Sequence, residues 1–196
     1  LFGNEMSSSN NKLIVGAMSA YGTGAAFIYL HNGTQYLPEQ LILPPANPTP
    51  FNFGRNVAVY ENKTIVSDHR FLDKGVAWFY AYNGTGWTLI QKLNATYDVD
   101  NFGTDRYGES ISLEGNVLLV GAPYQEPPSR AGKAHVYRYN GTQWNLEQQL
   151  VSPSIMSNRA FGSAVSTKGN VITISEVGYP FHVDGKVFVY RYNGAN

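Results

Sequence analysis

Residues 107–150 read YGESISLEGNVLLVGAPYQEPPSRAGKAHVYRYNGTQWNLEQQL. Runs rich in aromatic and β-branched residues, separated by turn residues, predict four strands in this stretch. Asn140-Gly141 lies between the third and fourth runs and predicts a type I′ hairpin turn, which needs positive φ at both residues. The stretch is therefore interpreted as a four-stranded antiparallel unit, with strands at 110–113, 117–121, 133–139 and 143–150.

This unit occurs four times along the chain. The aromatic-Gly pair that opens it recurs at Phe2, Phe53, Tyr107 and Phe161, and the Asn-Gly pair recurs at Asn32, Asn83, Asn140 and Asn193. Successive copies are 51 to 57 residues apart. A fixed period of about fifty residues with four strands in each copy is typical of a β-propeller blade, whereas a sandwich gives no reason for a fixed period.

The predicted fold is therefore all-β, a β-propeller built of four-stranded antiparallel blades. The blades are expected at about 2–43, 53–93, 107–151 and 161–196, all within one partial propeller domain covering 1–196. The last blade lacks its outer strand, so the chain is interpreted as a piece of something longer. Alternatively, a strand from elsewhere completes that blade.

The markers FG, VGAP and GxAxVY resemble the FG-GAP repeat, which is found in integrin α-chain propellers and in many extracellular proteins. The GAP triplet is intact only in the third copy, at Gly121-Ala122-Pro123. The resemblance implies a propeller of about seven blades at the cell surface. The calcium loops of integrin-type repeats are not carried over, because the connections between the first and second strands here are short and poor in carboxylates.

Composition excludes several classes of function. The formal net charge is zero, with 14 basic and 14 acidic residues, which argues against nucleic-acid binding. No apolar run approaches the length of a membrane-spanning helix. The chain has no cysteine, so it has no disulfide, no zinc–thiolate site and no thiol catalysis.

Five Asn-x-Thr sequons predict N-glycosylation and an extracellular or cell-surface location. The alternative is that Asn-Gly serves the turns and Thr the strands that follow, in an unmodified secreted bacterial protein. The five asparagines are Asn32, Asn62, Asn83, Asn94 and Asn140.

One acidic cluster is a candidate metal site. Asp98, Asp100 and Asp105 lie in the segment between the second and third copies. Alternating carboxylates on an extended segment can hold a hard cation such as calcium. A solvated polar loop is the favoured interpretation, and no other cofactor is expected.

Binding residues are expected on the loops between second and third strands. In the predicted antiparallel order these loops share one side with the blade-to-blade connections, and they are long and variable. Tyr21, Tyr124 and Tyr179 are candidates for stacking on sugars or anchoring a protein, with loop packing as the alternative. Asp68, His69 and Arg70 form a candidate polar patch or acid–base pair, although simple loop polarity is favoured.

The predicted function is a non-catalytic extracellular module for adhesion or for assembly into a glycoprotein structure or filament. No catalytic motif is present, so an enzyme is not expected. Partners are a protein or glycan on the long-loop face, and further copies of the chain at the unpaired edge of the last blade. A carbohydrate-binding propeller is the second interpretation and a propeller glycosidase the third.

Overall fold

The computed structural model describes residues 1–45, 52–95, 105–125, 131–153, 159–178 and 184–193. Within these ranges the chain forms strands and two short 3₁₀ turns, Ala20–Gly22 and Phe71–Asp73. No helix among the described residues is long and apolar enough to cross a membrane. The prediction of an all-β chain is confirmed.

The strands form four sheets in which each strand pairs with the next in sequence, always antiparallel. The first sheet contains β1 (Met6–Ser9), β2 (Lys12–Ala17), β3 (Ala25–His31) and β4 (Tyr36–Ile42). The second contains β5 (Asn56–Tyr60), β6 (Lys63–Asp68), β7 (Val76–Tyr82) and β8 (Trp87–Leu93). The third contains β9 (Ser110–Glu114), β10 (Val117–Ala122), β11 (Lys133–Tyr139) and β12 (Trp144–Val151). The fourth contains β13 (Phe161–Lys168), β14 (Val171–Glu176) and β15 (Lys186–Arg191).

These sheets are the predicted antiparallel propeller blades, and we number them one to four. In the third blade the strand ends differ from the predicted ones by one residue. The chain divides into two compact units, Leu1–Asn94 with the first two blades and Ala95–Asn196 with the last two. The total number of blades in a closed propeller stays a prediction.

The two central strands of the second blade are buried on both faces, as a stacked sheet requires. All six residues of β6 are buried, as are the first five of β7. The core of the first unit joins both of its blades, with Ile14 and Ile28 from the first and Phe53, Val66 and Trp78 from the second. The outer strands β8 and β12 are mostly exposed, because each forms the outer edge of its blade.

The hairpins between third and fourth strands differ from the type I′ prediction, which was wrong. Among the described residues Gly33 has positive φ (103°) but Asn32 does not. Four residues, 32–35, separate the paired His31 and Tyr36. The Asn32 side-chain oxygen accepts hydrogen bonds from the N–H groups of Thr34 and Gln35, both at 3.0 Å. This side chain therefore takes over the role of a backbone turn, and Asn83 and Asn140 repeat the arrangement.

Contact between consecutive blades depends on glycine. The Gly54 N–H donates to the Ser67 carbonyl of its own blade at 3.1 Å. The Gly54 carbonyl faces the first blade so closely that a Cβ on Gly16 would overlap its oxygen. In the same way a Cβ on Gly24 would overlap the Phe53 carbonyl. The second unit repeats the contact, with Gly121 against Gly162 and Gly132 against Phe161.

Side chains on the innermost strands also join neighbouring blades. Ser7 Oγ accepts a hydrogen bond from the Val59 N–H at 3.1 Å. At the equivalent positions of the second unit, Ser112 Oγ accepts one from the Thr167 N–H at 3.0 Å. Both serines lie on strands β1 and β9, where every second side chain faces the next blade. The repeat therefore conserves the blade contact as well as the blade itself.

Substitution of a contact glycine tests this packing. Gly16→Ala is expected to lower the free energy of unfolding by about 3 kcal/mol, because the added Cβ meets a backbone carbonyl that cannot rotate away. The measurement is urea unfolding followed by circular dichroism. Gly86→Ala is the control, since Gly86 has no positive φ and its added Cβ would meet only a side-chain atom, Gln40 Oε1 at 3.2 Å, and no backbone carbonyl. Equal unfolding midpoints for the two variants would contradict the proposed role of the glycine contact.

Candidate recognition surface

In the first unit the loops between second and third strands lie at one end of both blades. Gly54 bonds to the end of β6 and packs on Gly16 at the end of β2. The two strand ends are therefore neighbours, and the two 3₁₀ turns follow them directly. The segment entering the second blade lies there too, since the Phe53 N–H donates to the Thr23 carbonyl at 3.3 Å. We call this end of the unit, formed by residues 18–24, 52–55 and 69–75, the loop face.

Two exposed apolar side chains stand on the loop face at equivalent places. Tyr21 and Leu72 each lie three residues before the glycine that precedes the third strand. Tyr21 is 69% exposed and Leu72 is 64% exposed. Both have left-handed backbone conformations, with φ of 55° and 49°. A bulky non-glycine residue in this region is strained, and such strain concentrates at binding sites and switches.

The turns that hold these residues have the same hydrogen bonds. The Gly24 N–H donates to the Ala20 carbonyl at 2.7 Å, and the Gly75 N–H donates to the Phe71 carbonyl at 2.9 Å. Phe71 is buried against Trp78, with ring centroids 5.5 Å apart, so the second turn is fixed to the core. Tyr21 was predicted as a binding residue and Leu72 was not. Alignment of the copies on Gly24 and Gly75 could have identified it.

The polar patch predicted at Asp68, His69 and Arg70 is divided between the interior and the surface. Asp68 is fully buried, and its carboxylate accepts the N–H groups of Asn52 and Arg70, both at 2.9 Å. These bonds fasten the entering segment to the end of β6. His69 is buried and Arg70 is exposed. The structure thus gives Asp68 a structural role, while a binding role for the three residues stays a prediction.

A second buried carboxylate occupies the equivalent place in the fourth blade. Glu176 ends β14 as Asp68 ends β6, and it is 1% exposed. Arg159 Nη1 lies 3.8 Å from Glu176 Oε1, and the Ser152 hydroxyl donates to Glu176 Oε2. Both partners belong to segments that join the third blade to the fourth. Acidic side chains at this position therefore hold the connections between blades.

The remaining predicted residues have different surroundings. Tyr124 is half-buried, with the Arg106 guanidinium 4.5 Å from its ring centroid, so it packs against the segment that enters the third blade. The Asp105 carbonyl accepts the Tyr124 N–H at 3.3 Å. Asp98, Asp100 and Tyr179 lie outside the described residues. No group of three metal-ligating side chains occurs among the residues that are described, and the calcium site at Asp98, Asp100 and Asp105 stays a prediction.

All five sequon asparagines are exposed. Asn32, Asn83 and Asn140 lie in hairpins between third and fourth strands, Asn62 lies between β5 and β6, and Asn94 follows β8. The Thr34 hydroxyl donates to the Asn32 side-chain oxygen at 2.9 Å, and Thr85 and Thr142 repeat this bond. Turn chemistry therefore explains these three sequons without a glycan. It also leaves the amide nitrogen, the atom that carries an N-linked glycan, on the exposed side chain.

A buried polar cluster in the third blade was not predicted. His135 is fully buried, and its Nε2 lies 2.7 Å from Gln125 Oε1. The Tyr107 hydroxyl donates to the Tyr137 hydroxyl at 2.7 Å. Burial raises the pKa of both tyrosines, so both remain protonated at neutral pH. The cluster supports the loop through Gln125, whose carbonyl accepts the Gly132 N–H at 3.0 Å.

Comparison with known families identifies the repeat. Residues 87–137 match the model of the FG-GAP repeat. This part of the chain is therefore similar to an FG-GAP repeat. The match begins at the outer strand β8 and continues into β11, so the family unit is offset from the sheet by one strand. Within the matched stretch, Gly121 of the Gly-Ala-Pro triplet is one of the glycines that meet the next blade, where an added Cβ would overlap the Gly162 carbonyl.

Among solved structures, the chain is similar to the native arabinanase Arb43A of Bacillus subtilis. The TM-score is 0.43 at 7% sequence identity, over 95% of this chain and 70% of the arabinanase. No curated protein sequence matches the chain.

The strain at the two exposed residues can be measured. Tyr21→Gly is expected to have a free energy of unfolding about 1 kcal/mol higher than that of Tyr21→Ala, because only glycine tolerates positive φ without strain. Leu72 is expected to behave in the same way. Tyr36, an exposed strand residue, is the control, and there the glycine variant should be the less stable of the two. The same order at all three positions would contradict the left-handed conformations.

Proposed function

We propose that this chain is a non-catalytic extracellular or cell-surface module that binds a protein or glycan partner at the loop face. The observation that carries the proposal is the pair Tyr21 and Leu72, exposed and equivalent on consecutive blades. Large apolar side chains on rigid turns are suitable anchors, because little conformational entropy is lost when they bind.

The surroundings of the polar residues support a non-catalytic function. Asp68 and Glu176 are buried, and their oxygens accept hydrogen bonds or an ion pair from the connecting segments. His135 is fully buried. General acid–base catalysis requires groups within hydrogen-bond reach of a substrate. These three side chains instead stabilise blade connections and a loop.

An extracellular location is supported by the FG-GAP repeat and by the five exposed sequon asparagines. Assembly into a larger structure is the second part of the proposal. Within the described residues the fourth blade contains three strands, and β15 pairs with β14 on one side only. An open strand edge can pair with a strand from another chain.

Binding at the loop face is tested with the double variant Tyr21→Ala, Leu72→Ala. The chain is immobilised and probed with extracellular-matrix proteins and with a glycan array. Binding by the parent is expected to weaken about tenfold or more in the double variant, as for the loss of two anchors. The control is Leu41→Ala with Leu89→Ala, two exposed leucines on the outer strands β4 and β8.

Three results would count against this function. One is a loss of binding in the control that equals the loss in the double variant. Another is the absence of binding to every protein and glycan probe. The third is hydrolysis of arabinan or another polysaccharide by the parent chain, which would favour the glycosidase interpretation. Binding to glycans alone would favour the carbohydrate-binding interpretation.

Glycosylation is tested by secretion from eukaryotic cells and mass spectrometry of the asparagines. We expect glycans on at least two of the five, with most of them at Asn32, Asn62, Asn83 and Asn140. Asn32→Asp is the matched control, because aspartate keeps the oxygen that accepts the turn hydrogen bonds but cannot carry the glycan. An unmodified secreted chain, or glycans mainly at Asn94, would contradict this expectation.

A further inference from the structure

The lysines at the end of the first unit opposite the loop face are paired with carboxylates. Lys12 Nζ lies 3.4 Å from Glu39 Oε1, and Lys63 Nζ lies 4.0 Å from Glu61 Oε2. Lys12 begins β2 and Lys63 begins β6, so both lysines lie beside the short turns between first and second strands. The positive charges of this end are therefore balanced within the unit.

The arginines of the loop face lack such partners. No ion pair joins the guanidinium of Arg55 or Arg70 to a carboxylate among the residues that the structure describes. Arg55 is half-buried, and its Nη1 lies 3.6 Å from Met18 Sδ, an uncharged and weak acceptor. Arg70 is exposed. Both charges are therefore uncompensated at the loop face.

A third cation borders the loop face from the outer strand. Lys92 is exposed near the end of β8, and its Nζ lies 4.6 Å from the centroid of the Phe71 ring. Phe71 begins the 3₁₀ turn that contains Leu72, so the ammonium lies beside that turn. The ring attracts the ammonium but does not neutralise its charge. Within the described ranges Lys92 forms no ion pair.

Few carboxylates oppose these charges. The loop face contains three lysine or arginine residues and a single acidic residue, Asp73. The neighbouring Asp68 is fully buried, and its oxygens accept two backbone N–H groups. Glu5, exposed just before β1, forms no ion pair with the described cations. The loop face therefore has an excess of positive charge in a chain whose formal net charge is zero.

The uncompensated charges surround the two exposed apolar anchors. Arg70 lies two residues before Leu72, and Arg55 contacts Met18, three residues before Tyr21. A partner that covers both anchors also removes water from these cations, which is unfavourable unless a counter-charge replaces it. Carboxylates on the partner supply that charge and accelerate its encounter with the surface. Charge complementarity therefore favours an acidic partner.

The anchors favour a polypeptide over an anionic glycan. Tyr21 has a ring on which either a sugar or an apolar side chain packs. Leu72 is aliphatic, and the hydroxyl groups of a sugar lose hydration against it without gaining a hydrogen bond. Apolar side chains of a protein have no such cost, so both anchors together fit a protein segment.

The described surface of this chain offers no such acidic segment to a second copy. The described carboxylates outside the loop face that are neither ion-paired nor buried are far apart in sequence, namely Glu5, Asp105 and Asp184. The others are already used within the fold, as ion pairs or buried groups, namely Glu39, Glu61, Asp68, Glu109, Glu114, Glu147 and Glu176.

We propose that the loop face binds an acidic segment of a different protein, in which carboxylates flank large apolar side chains. The apolar side chains pack on Tyr21 and Leu72. The carboxylates pair with Arg55, Arg70 and Lys92. The proposal rests on the proposed function of the loop face and names the chemistry of the partner.

The probe is a phage library of random peptides selected on the whole chain. Peptides that bind the parent but not the folded Tyr21→Ala, Leu72→Ala variant are sequenced. We expect them to combine aspartate or glutamate with leucine, phenylalanine or tryptophan, and to be depleted of lysine and arginine. A selected peptide remade with an amide in place of each carboxylate is expected to bind about tenfold more weakly.

Surface plasmon resonance of a selected peptide separates the cations from the anchors. Arg70→Gln with Lys92→Gln is expected to slow association about fivefold and to reduce its salt dependence, because exposed charges act mainly on encounter. Leu72→Ala is expected to speed dissociation instead. The matched control is Lys186→Gln with Arg191→Gln, which removes the same charge from exposed positions of β15 and should leave association unchanged.

Four results would overturn this proposal. Selected peptides that need both anchors but are neutral or basic would do so, and recognition at the loop face would still stand. Equal slowing of association in the control would do so as well. Heparin that binds where no peptide binds would identify an anionic glycan instead. A dimer of the chain alone that dissociates in Arg70→Gln with Lys92→Gln would identify a second copy as the partner.

Discussion

The close approach of backbone to backbone between neighbouring blades is the constraint on which each unit depends. The Phe-Gly carbonyls of one blade press against glycines at the end of the second strand and the start of the third strand of the preceding blade. A side chain at any of these glycines would separate the two sheets. Polar side chains then fix the contact: Asn4 and Ser110 each donate to the carbonyl of the next Phe-Gly glycine, at 3.1 and 2.8 Å. The repeated glycines are thus the residues that form the contact between neighbouring blades.

This constraint explains why recognition is expected at the loops rather than within the sheets. The central strands β6 and β10 are almost entirely buried, and titratable groups at strand ends, such as Asp68, hold the connecting segments. The turns that carry Tyr21 and Leu72 only have to join two strands, so exposed and strained residues are tolerated there. Three sequon asparagines, Asn32, Asn83 and Asn140, lie at the opposite ends of the strands. They belong to short hairpins in which their side chains already have a structural role.

Much of the fold could be predicted from the sequence, because four copies of the same markers give four tests of one pattern. Strand ends in the third blade differ by a single residue from the expected ones. The predicted hairpin type was wrong because the prediction considered only the Asn-Gly pair and not the residue that follows it. The threonine that follows is part of the motif, since its N–H and hydroxyl both bond to the asparagine side chain.

The sites were harder to predict, for physical reasons that particular residues make plain. The sequence alone does not show whether the carboxylate oxygens of a residue such as Asp68 face solvent or backbone N–H groups. The side chain of Leu72 has no functional group that would mark it as a binding residue. It can be identified from the sequence only by its alignment with Tyr21. The hydrogen bonds of Trp87 to Gln40 and Glu39 depend on the β-bulge in β4, which places Glu39 beside Gln40. Side-chain positions of that kind depend on register, which composition and spacing leave open.

Native-state hydrogen exchange at the Phe-Gly amides tests the central claim most directly. If blade contact is the cooperative element of each unit, the N–H groups of Gly54 and Phe161 exchange as slowly as those in the central strands β6 and β14. Gly54 and Phe161 bond to Ser67 and Ala131, across or beside the glycine contacts. Exchange at these two amides as fast as at exposed turns such as Gly33, with the central strands still protected, would contradict the account.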